Sequence, residues 1–237
     1  MTVRNSNTAA SVRSRGRPRK PAPATAIAKR GQGRPQQSDA EATKARLIAA
    51  ARALMHVAKP AKITRFDIAR QAGVDPALVR YYFGNKAAVF AEVIRVVTEE
   101  LRAKRDALPK TGPVIDRLRA YLQVWLEVFT DNPHFHELVV EQVFYADESG
   151  APKMLKKFVE RAYPELERLV AEGVANRELR AAEPRFVYLA IIALTEFFAT
   201  ASPLVDALFG KRGGASKLRS EYGAFAAGLL IDGLRRR

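Results

Sequence analysis

Apolar residues recur along this chain at helical spacing, and no alternating run competes as a strand. The first periodic block begins near Ser38. Ser38 and Glu41 form a candidate capping box, and Leu47, Ala50, Ala51 and Leu54 make a stripe that Lys59 and Pro60 end. Thr64 reads as the N-cap of a second helix, with Asp67 at its positive end and Phe66, Ile68 and Ala69 as its packing face. Gly73 suits a left-handed turn, Asp75 a second cap, and Pro76 the first turn of a third helix. A longer helix follows Asn85, with Phe90, Val93, Ile94, Val97 and Leu101 as its stripe and Pro109 beyond its end. Residues 113–130 carry Val114, Leu118, Tyr121, Leu122, Trp125 and Phe129 at the same period.

After the break at Asp131, Asn132 and Pro133, residues 133–145 and 152–176 read as two further helices, separated by 147–150. The segment 184–201 has almost no polar face. A helix apolar all round must be buried on all sides, which at this chain length points to a partner subunit. The last helix spans about 216–234, and 210–214 reads as a mobile loop. The expected fold is all-α, in three parts: a basic tail over 1–37, a three-helix domain over 38–86, and a larger helical domain over 87–237.

Charge alters this picture at one end. Of 40 basic residues, nine lie in 1–37 with no acid among them, although the whole chain carries a net charge of +15. That tail has no aromatic residue and few aliphatic ones, so it is expected to be disordered. A basic tail on a nearly balanced globule points to a polyanionic partner, nucleic acid or an anionic membrane surface. No apolar run reaches the roughly 20 residues that span a bilayer. The tail's composition resembles an organellar transit peptide, but its prolines and glycines break any amphipathic helix. With no cysteine, disulfides and cysteine-ligated metal centres are excluded.

The stretch 64–86, TRFDIARQAGVDPALVRYYFGNK, carries the clearest functional signal. Two short helices crossing at a small residue, a glycine at their turn and apolar residues locking the pair are what a helix-turn-helix needs. Ala69, Gly73, Val74 and Val79 supply them. The second helix would then present Asp75, Pro76, Ala77, Leu78 and Arg80 to base edges, with Thr64 and Arg65 at the start of the first. Tyr81, Tyr82 and Lys86 stand where hydroxyl and ammonium groups meet phosphates. At these residues the chain resembles the TetR family of bacterial transcriptional regulators. Thr64, Ile68 and Ala69 match the start of its second helix, Gly73 and Val74 its turn, and Tyr81, Phe83 and Lys86 its Tyr-x-Phe-x-x-Lys signature. Asp75 replaces the family's usual serine, and Arg80 a frequent tyrosine. The resemblance implies that 38–86 is a helix-turn-helix DNA-binding domain, with the family-type unit spanning about 40–100 including the connecting helix. It also implies that 87–237 is an all-helical ligand-binding and dimerisation domain that binds a small ligand and dimerises through its last two long helices.

In the tail, Arg15, Gly16, Arg17, Pro18 and Arg19 look like an AT-hook, an extended strip whose arginines enter a narrow A/T minor groove. A solvated basic tail with sequence-independent phosphate attraction is the alternative. Trp125, Phe129, Phe144, Phe158, Tyr163, Phe197 and Phe198 are candidates for lining an apolar ligand cavity, or for ordinary core. His134, His136, Glu137 and Glu141 lack metal-ligand spacing, so no metal and no cofactor are expected. No P-loop, Rossmann glycine pattern, nucleophile elbow or HExxH is present, and no catalysis is expected.

The reading is a cytoplasmic homodimer, pairing through about 184–201 and 216–234, that binds double-stranded DNA and is released by an unknown small-molecule effector. The rivals are an architectural DNA-binding protein that uses the tail with little sequence choice, and a ligand-binding protein with an inactive reading head.

Overall fold

The computed structural model describes residues 37–144, 156, 159–161, 163–210 and 214–236. The tail motif at 15–19, Phe158 and the centre of the 210–214 connection lie outside these residues, and the side chain of Phe144 is likewise not described. Among the described residues there is no strand, only an isolated bridge between Leu179 and Arg235.

The N-terminal part is a three-helix unit. Helix α1 (Gln37–Leu54) buries Leu47, Ala50 and Ala51 against α2 (Arg65–Ala72) and α4 (Lys86–Asp106). Because α1 already includes Ser38, that residue does not precede the helix as a cap. The helix also stops at Leu54, short of Lys59. Lys59 and Pro60 instead open a 3-10 turn over Pro60–Lys62, where a proline tolerates the tight start. Helix α3 (Ala77–Phe83) joins α2 through Gly73, whose φ of 65° is left-handed. Of the expected packing face of α2, Ile68 and Ala69 are fully buried, but Phe66 is 56% exposed. Two residues before Ile68, Phe66 points roughly 200° around the helix from it, away from α1.

The C-terminal part is built around α5 (Val114–Asp131), which packs against α4, α7 (Pro164–Ala175), α8 (Pro184–Thr200) and α10 (Ala215–Leu234). Pro113 leaves the first turn of α5 without a side-chain cap of its own. Glu178 supplies one: its Oε2 accepts from the Val114 N–H at 2.7 Å. The expected helix over 133–145 begins later, because His134 sits at φ 66° outside it. Helix α6 (Phe135–Val139) runs into a π turn over Val140–Phe144. The expected helix over 152–176 is interrupted at Tyr163, since Pro164 has no N–H to continue it and starts α7 instead. A short helix, α9 (Ser202–Phe209), opens where Pro203 occupies a first turn, and the helical periodicity gives no sign of it.

Helix α8 is half buried within one chain. Val187, Ile191 and Phe198 face the core, whereas Phe186, Leu189 and Phe197 are 60–72% exposed. On α10, Phe225 and Leu229 are exposed in the same way. Among the described residues no single helix is long and apolar enough to cross a membrane.

A close helix crossing lies at Gly173 of α7. A Cβ there would lie 2.6 Å from Leu179 Cδ1 and 2.8 Å from Val114 Cγ1. Gly173→Ala is therefore expected to cost about 1–3 kcal/mol by overpacking. Gly233→Ala, with open space around its Cβ position, is expected to be neutral or slightly stabilising. Urea unfolding followed by circular dichroism at one fixed protein concentration compares them; equal midpoints would contradict the close crossing.

Candidate nucleic-acid interface and effector cavity

The reading head is held rigid by side-chain caps. The Thr64 hydroxyl accepts from the Asp67 N–H at 3.2 Å and donates to Asp67 Oδ2 at 2.6 Å, while the Thr64 N–H donates to the same carboxylate at 3.0 Å. The Thr64 hydroxyl, then its backbone N–H, hold the Asp67 carboxyl below its usual range, and Arg70 adds to this. A depressed carboxylate value means that this support is intact at neutral pH and is lost as pH falls through the folded value. At the other end of α2, Arg46 donates to the carbonyls of Ala72 and Gly73 at 2.6 and 3.1 Å. Asp75 caps α3, its Oδ1 accepting from the Ala77 N–H at 2.7 Å. The carboxylate that replaces the family's serine is thus engaged by the helix it precedes.

Of the predicted contact residues, Thr64, Arg65, Asp75, Ala77, Arg80 and Tyr81 are exposed, while Pro76 and Tyr82 are half-buried. The Arg65 guanidinium lies 4.9 Å from the ring centre of the exposed Phe66, a cation–π contact that steadies both at the surface. Tyr81, at 69% exposure, meets the Tyr82 ring edge-on with 4.9 Å between centroids. Tyr82 packs against the core, so it supports Tyr81 from behind. Lys86 is placed differently from the rest. Its ammonium donates to the carbonyls of Pro60 and Ala61, at 3.1 and 3.4 Å, and stands 5.8 Å from the Phe90 ring centre. It ties the start of α4 to the turn that precedes α2.

Two cations that carry no sequence signal connect the head to the rest of the chain. Arg52 of α1 makes a two-pronged contact with Glu100 of α4, both bonds 2.7 Å, and donates to Asn132 Oδ1 at 2.7 Å. Asn132 is buried and donates in turn to the Val128 carbonyl. Lys59 pairs with Glu137 of α6 at 3.3 Å. These partners stand 48 to 80 residues apart, so no periodicity announces them.

Helix α6 also borders a cavity of about 340 Å³ between α5, α8 and the residues just before α7, Val159 and Tyr163. Trp125, Phe129 and Tyr163 line it as expected, joined by Phe135, His136, Val139, Tyr188 and Ile192. The rings form a connected set: Trp125 to Phe129 at 5.4 Å, and Tyr188 edge-on to both Trp125 and Tyr163 at 6.0 Å. Burial pushes the Tyr188 phenol far above its ordinary value, the nearby Tyr121 adds, and Arg105 opposes. The polar handle inside the cavity is therefore a neutral hydroxyl at physiological pH. Arg185 stands among the lining residues, paired with Glu183 at 3.6 Å.

Phe197 does not reach this cavity. Five residues on from Ile192, it lies about 140° around α8 and is exposed. With Phe198, Leu204, Leu208 and Phe225 it lines a separate apolar groove of about 530 Å³ along α8, α9 and α10. His134 faces Glu137 at 3.0 Å and His136 faces Glu196 at 3.5 Å. No three metal-ligating side chains gather among the described residues.

Comparison with known proteins agrees with this arrangement. Residues 47–93 match the model of the bacterial regulatory proteins of the tetR family, and residues 115–229 match the tetracyclin repressor-like C-terminal domain. Together the two spans cover more than half of the chain. The HTH-type transcriptional regulator RutR of Escherichia coli strain K12 is 26% identical over 151 residues, 62% of this chain and 69% of that protein. A TetR family transcription regulator from Marinobacter aquaeolei superposes with a TM-score of 0.62 at 14% identity, over 85% of this chain and 100% of the other. The transcriptional regulator FadR of Bacillus subtilis, solved in complex with stearoyl-CoA, gives 0.58 at 14% identity, over 80% and 98%. Two family models thus meet on one chain, over its head and its helical C-terminal part, and the protein belongs to the TetR family of DNA-binding transcriptional regulators.

Proposed function

We propose that this protein is a dimeric, cytoplasmic repressor whose α3 enters the major groove and which a small apolar effector releases from its operator. The observation that carries the reading is the exposure of Thr64, Arg65, Ala77, Arg80 and Tyr81 on a helix pair whose starts are both held by side-chain bonds. Arg80 is the residue suited to guanine, because a guanidinium can donate two parallel bonds to its major-groove edge. Tyr81, Thr64 and Arg65 suit phosphates, which position the helix without selecting a base. Asp75 is spent on its cap, so its charge is partly satisfied where it would otherwise repel the backbone. Lys86 acts as an internal brace for the head and contacts DNA only where its remaining donor capacity allows.

The second copy of the chain covers the exposed Phe186, Leu189, Phe197, Phe225 and Leu229 of α8 and α10. A two-fold dimer sets the spacing between two half-sites. The cavity on α5 is within the size range of small-molecule sites, and its lining is nearly all hydrocarbon. An aromatic or acyl compound fits that chemistry, and the fold neighbour from Bacillus subtilis was solved in complex with stearoyl-CoA. Helix α6 couples the two sites. Phe135, His136 and Val139 border the cavity, while Glu137 and the adjacent Asn132 hold Lys59 and Arg52 of the head. An effector that binds one α6 position better than another shifts the head by that difference in affinity and no more. The tail, with Arg15, Gly16, Arg17, Pro18 and Arg19, adds minor-groove contacts beside each half-site.

Three outcomes are expected. Arg80→Ala and Tyr81→Ala should each weaken binding to the footprinted promoter site by roughly tenfold or more, with Arg80→Ala also relaxing base preference. If gel-shift titration finds wild-type affinity for both, α3 is not the reading element. Removing residues 1–36 should lower affinity and flatten the dependence on salt, by about 0.9 in log–log slope for each phosphate the tail neutralises. An unchanged slope would remove the tail from the complex. Ile192→Trp, which fills the cavity, should keep operator affinity within about threefold while abolishing the effect of acyl thioesters on DNA release, since a small change of shape in a packed core is felt locally. Retained effector response in that variant would place the effector elsewhere.

A further inference from the structure

A second cavity, unlike the first in chemistry, opens between the C-terminal end of α4, the first half of α5 and α7. It has a volume of about 760 Å³ and is walled by six cationic and four acidic side chains. Most of these charges are already matched. Lys110 pairs with Glu165 at 2.9 Å, Arg117 with Glu172 at 2.6 Å, and Arg102 with Asp106 at 3.5 Å. Arg105 is buried to 5% exposure, donates to the Arg161 carbonyl at 3.2 Å and stands 3.8 Å from Glu165. Glu160, Arg161 and Arg168 are the remainder, and Glu160 pairs with Lys156, outside the lining, at 3.8 Å. Both guanidinium groups are exposed into the cleft, and neither is bonded to any other described side chain.

We propose that this cleft binds a phosphate-bearing small molecule, with Arg161 and Arg168 as its primary contacts. The charge balance selects the class. Six cations against four carboxylates leave an excess of two, which a phosphate dianion neutralises. Guanidinium groups present paired donors that match phosphate oxygens, and concave walls concentrate the field of like charges. The paired residues around them fix the cleft's shape without consuming the two free groups. Tyr121 marks its inner limit, lying one helical turn before Trp125 of the apolar cavity. Arg102 and Arg105 belong to the last turns of α4, which only Gly84 and Asn85 separate from the reading helix. An anion held here therefore acts on the helix that carries the head.

The binding claim does not depend on the apolar cavity, because the probe that tests it has no apolar part. Sodium pyrophosphate is titrated into the full-length protein at constant ionic strength, with sodium chloride as the reference. Emission from Trp125, the single tryptophan, is the readout, since it neighbours Tyr121 and is remote in sequence from the basic tail. Wild type should give a saturable change. The double variant Arg161→Ala, Arg168→Ala should bind about tenfold or more weakly, as expected when charge-assisted bonds are removed. Lys217→Ala, a surface cation outside the cleft, should behave as wild type. Absence of a saturable response, or an unchanged double variant, overturns the proposal. A parallel titration with stearoyl-CoA separates two sources of the phosphate. If the double variant weakens that titration too, the cleft holds the polar end of the cavity's ligand; if it weakens pyrophosphate alone, the cleft takes a separate metabolite.

Discussion

Burial of α5 organises the C-terminal half of this protein. Nine of its side chains, from Val114 to Phe129, are withdrawn from water, and full burial of each large apolar one stabilises by about 1.5–3 kcal/mol. A helix buried on several sides must be approached closely by its neighbours. That requirement explains Gly173 on α7, where a Cβ has no room, and Gly223 on α10, where the Gln123 amide of α5 occupies the space. It also explains the cap on α5. Its first N–H groups are enclosed and cannot rely on solvent, so the Glu178 carboxylate is brought to them from beyond α7.

Both cavities follow from the same helix. Trp125 and Phe129, on one side, open onto the apolar cavity, while Arg117 and Tyr121, nearer its start, wall the charged cleft. The two differ because their outer walls differ. The apolar cavity is closed by α6 and α8, which contribute Phe135, Tyr188 and Ile192; the charged cleft is closed by α4 and α7, which contribute Arg102, Arg105 and Arg168. Helix α6 is the short link between effector chemistry and DNA reading. Its irregular start at His134 and its π continuation place Glu137 beside Lys59. A regular helix through 133–145 would have distributed those side chains differently.

Much of the reading head is legible in the chain itself. Its caps are local: Thr64 with Asp67, and Asp75 with the Ala77 N–H, lie two or three residues apart, so their geometry is set by backbone chemistry that needs no tertiary context. The same holds for the left-handed Gly73. Phe66 reads as buried by residue type alone, whereas its angular position on α2 decides its exposure. In the cavity, Trp125, Phe129 and Tyr163 stand out as isolated aromatics, but Tyr188 and Ile192 are hidden in an apolar run where every residue looks alike. Phe197 belongs to that same run and faces outward.

The sequence by itself determined the all-helical class, the helix-turn-helix, the family and the apolar character of the last long helices. The family shows as a resemblance in the motif residues of 64–86 and the rest in periodicity or bonds between near neighbours, all written in stretches of consecutive residues. Only the tertiary structure decided which face of α8 is buried, that Lys86 braces Pro60 and Ala61, that Arg52 gathers Glu100 and Asn132, and that Arg161 and Arg168 stand without acidic partners among the described residues in a cleft otherwise matched in charge. These depend on residues tens of positions apart meeting in space. Packing around α5 sets those meetings, and no local pattern encodes it.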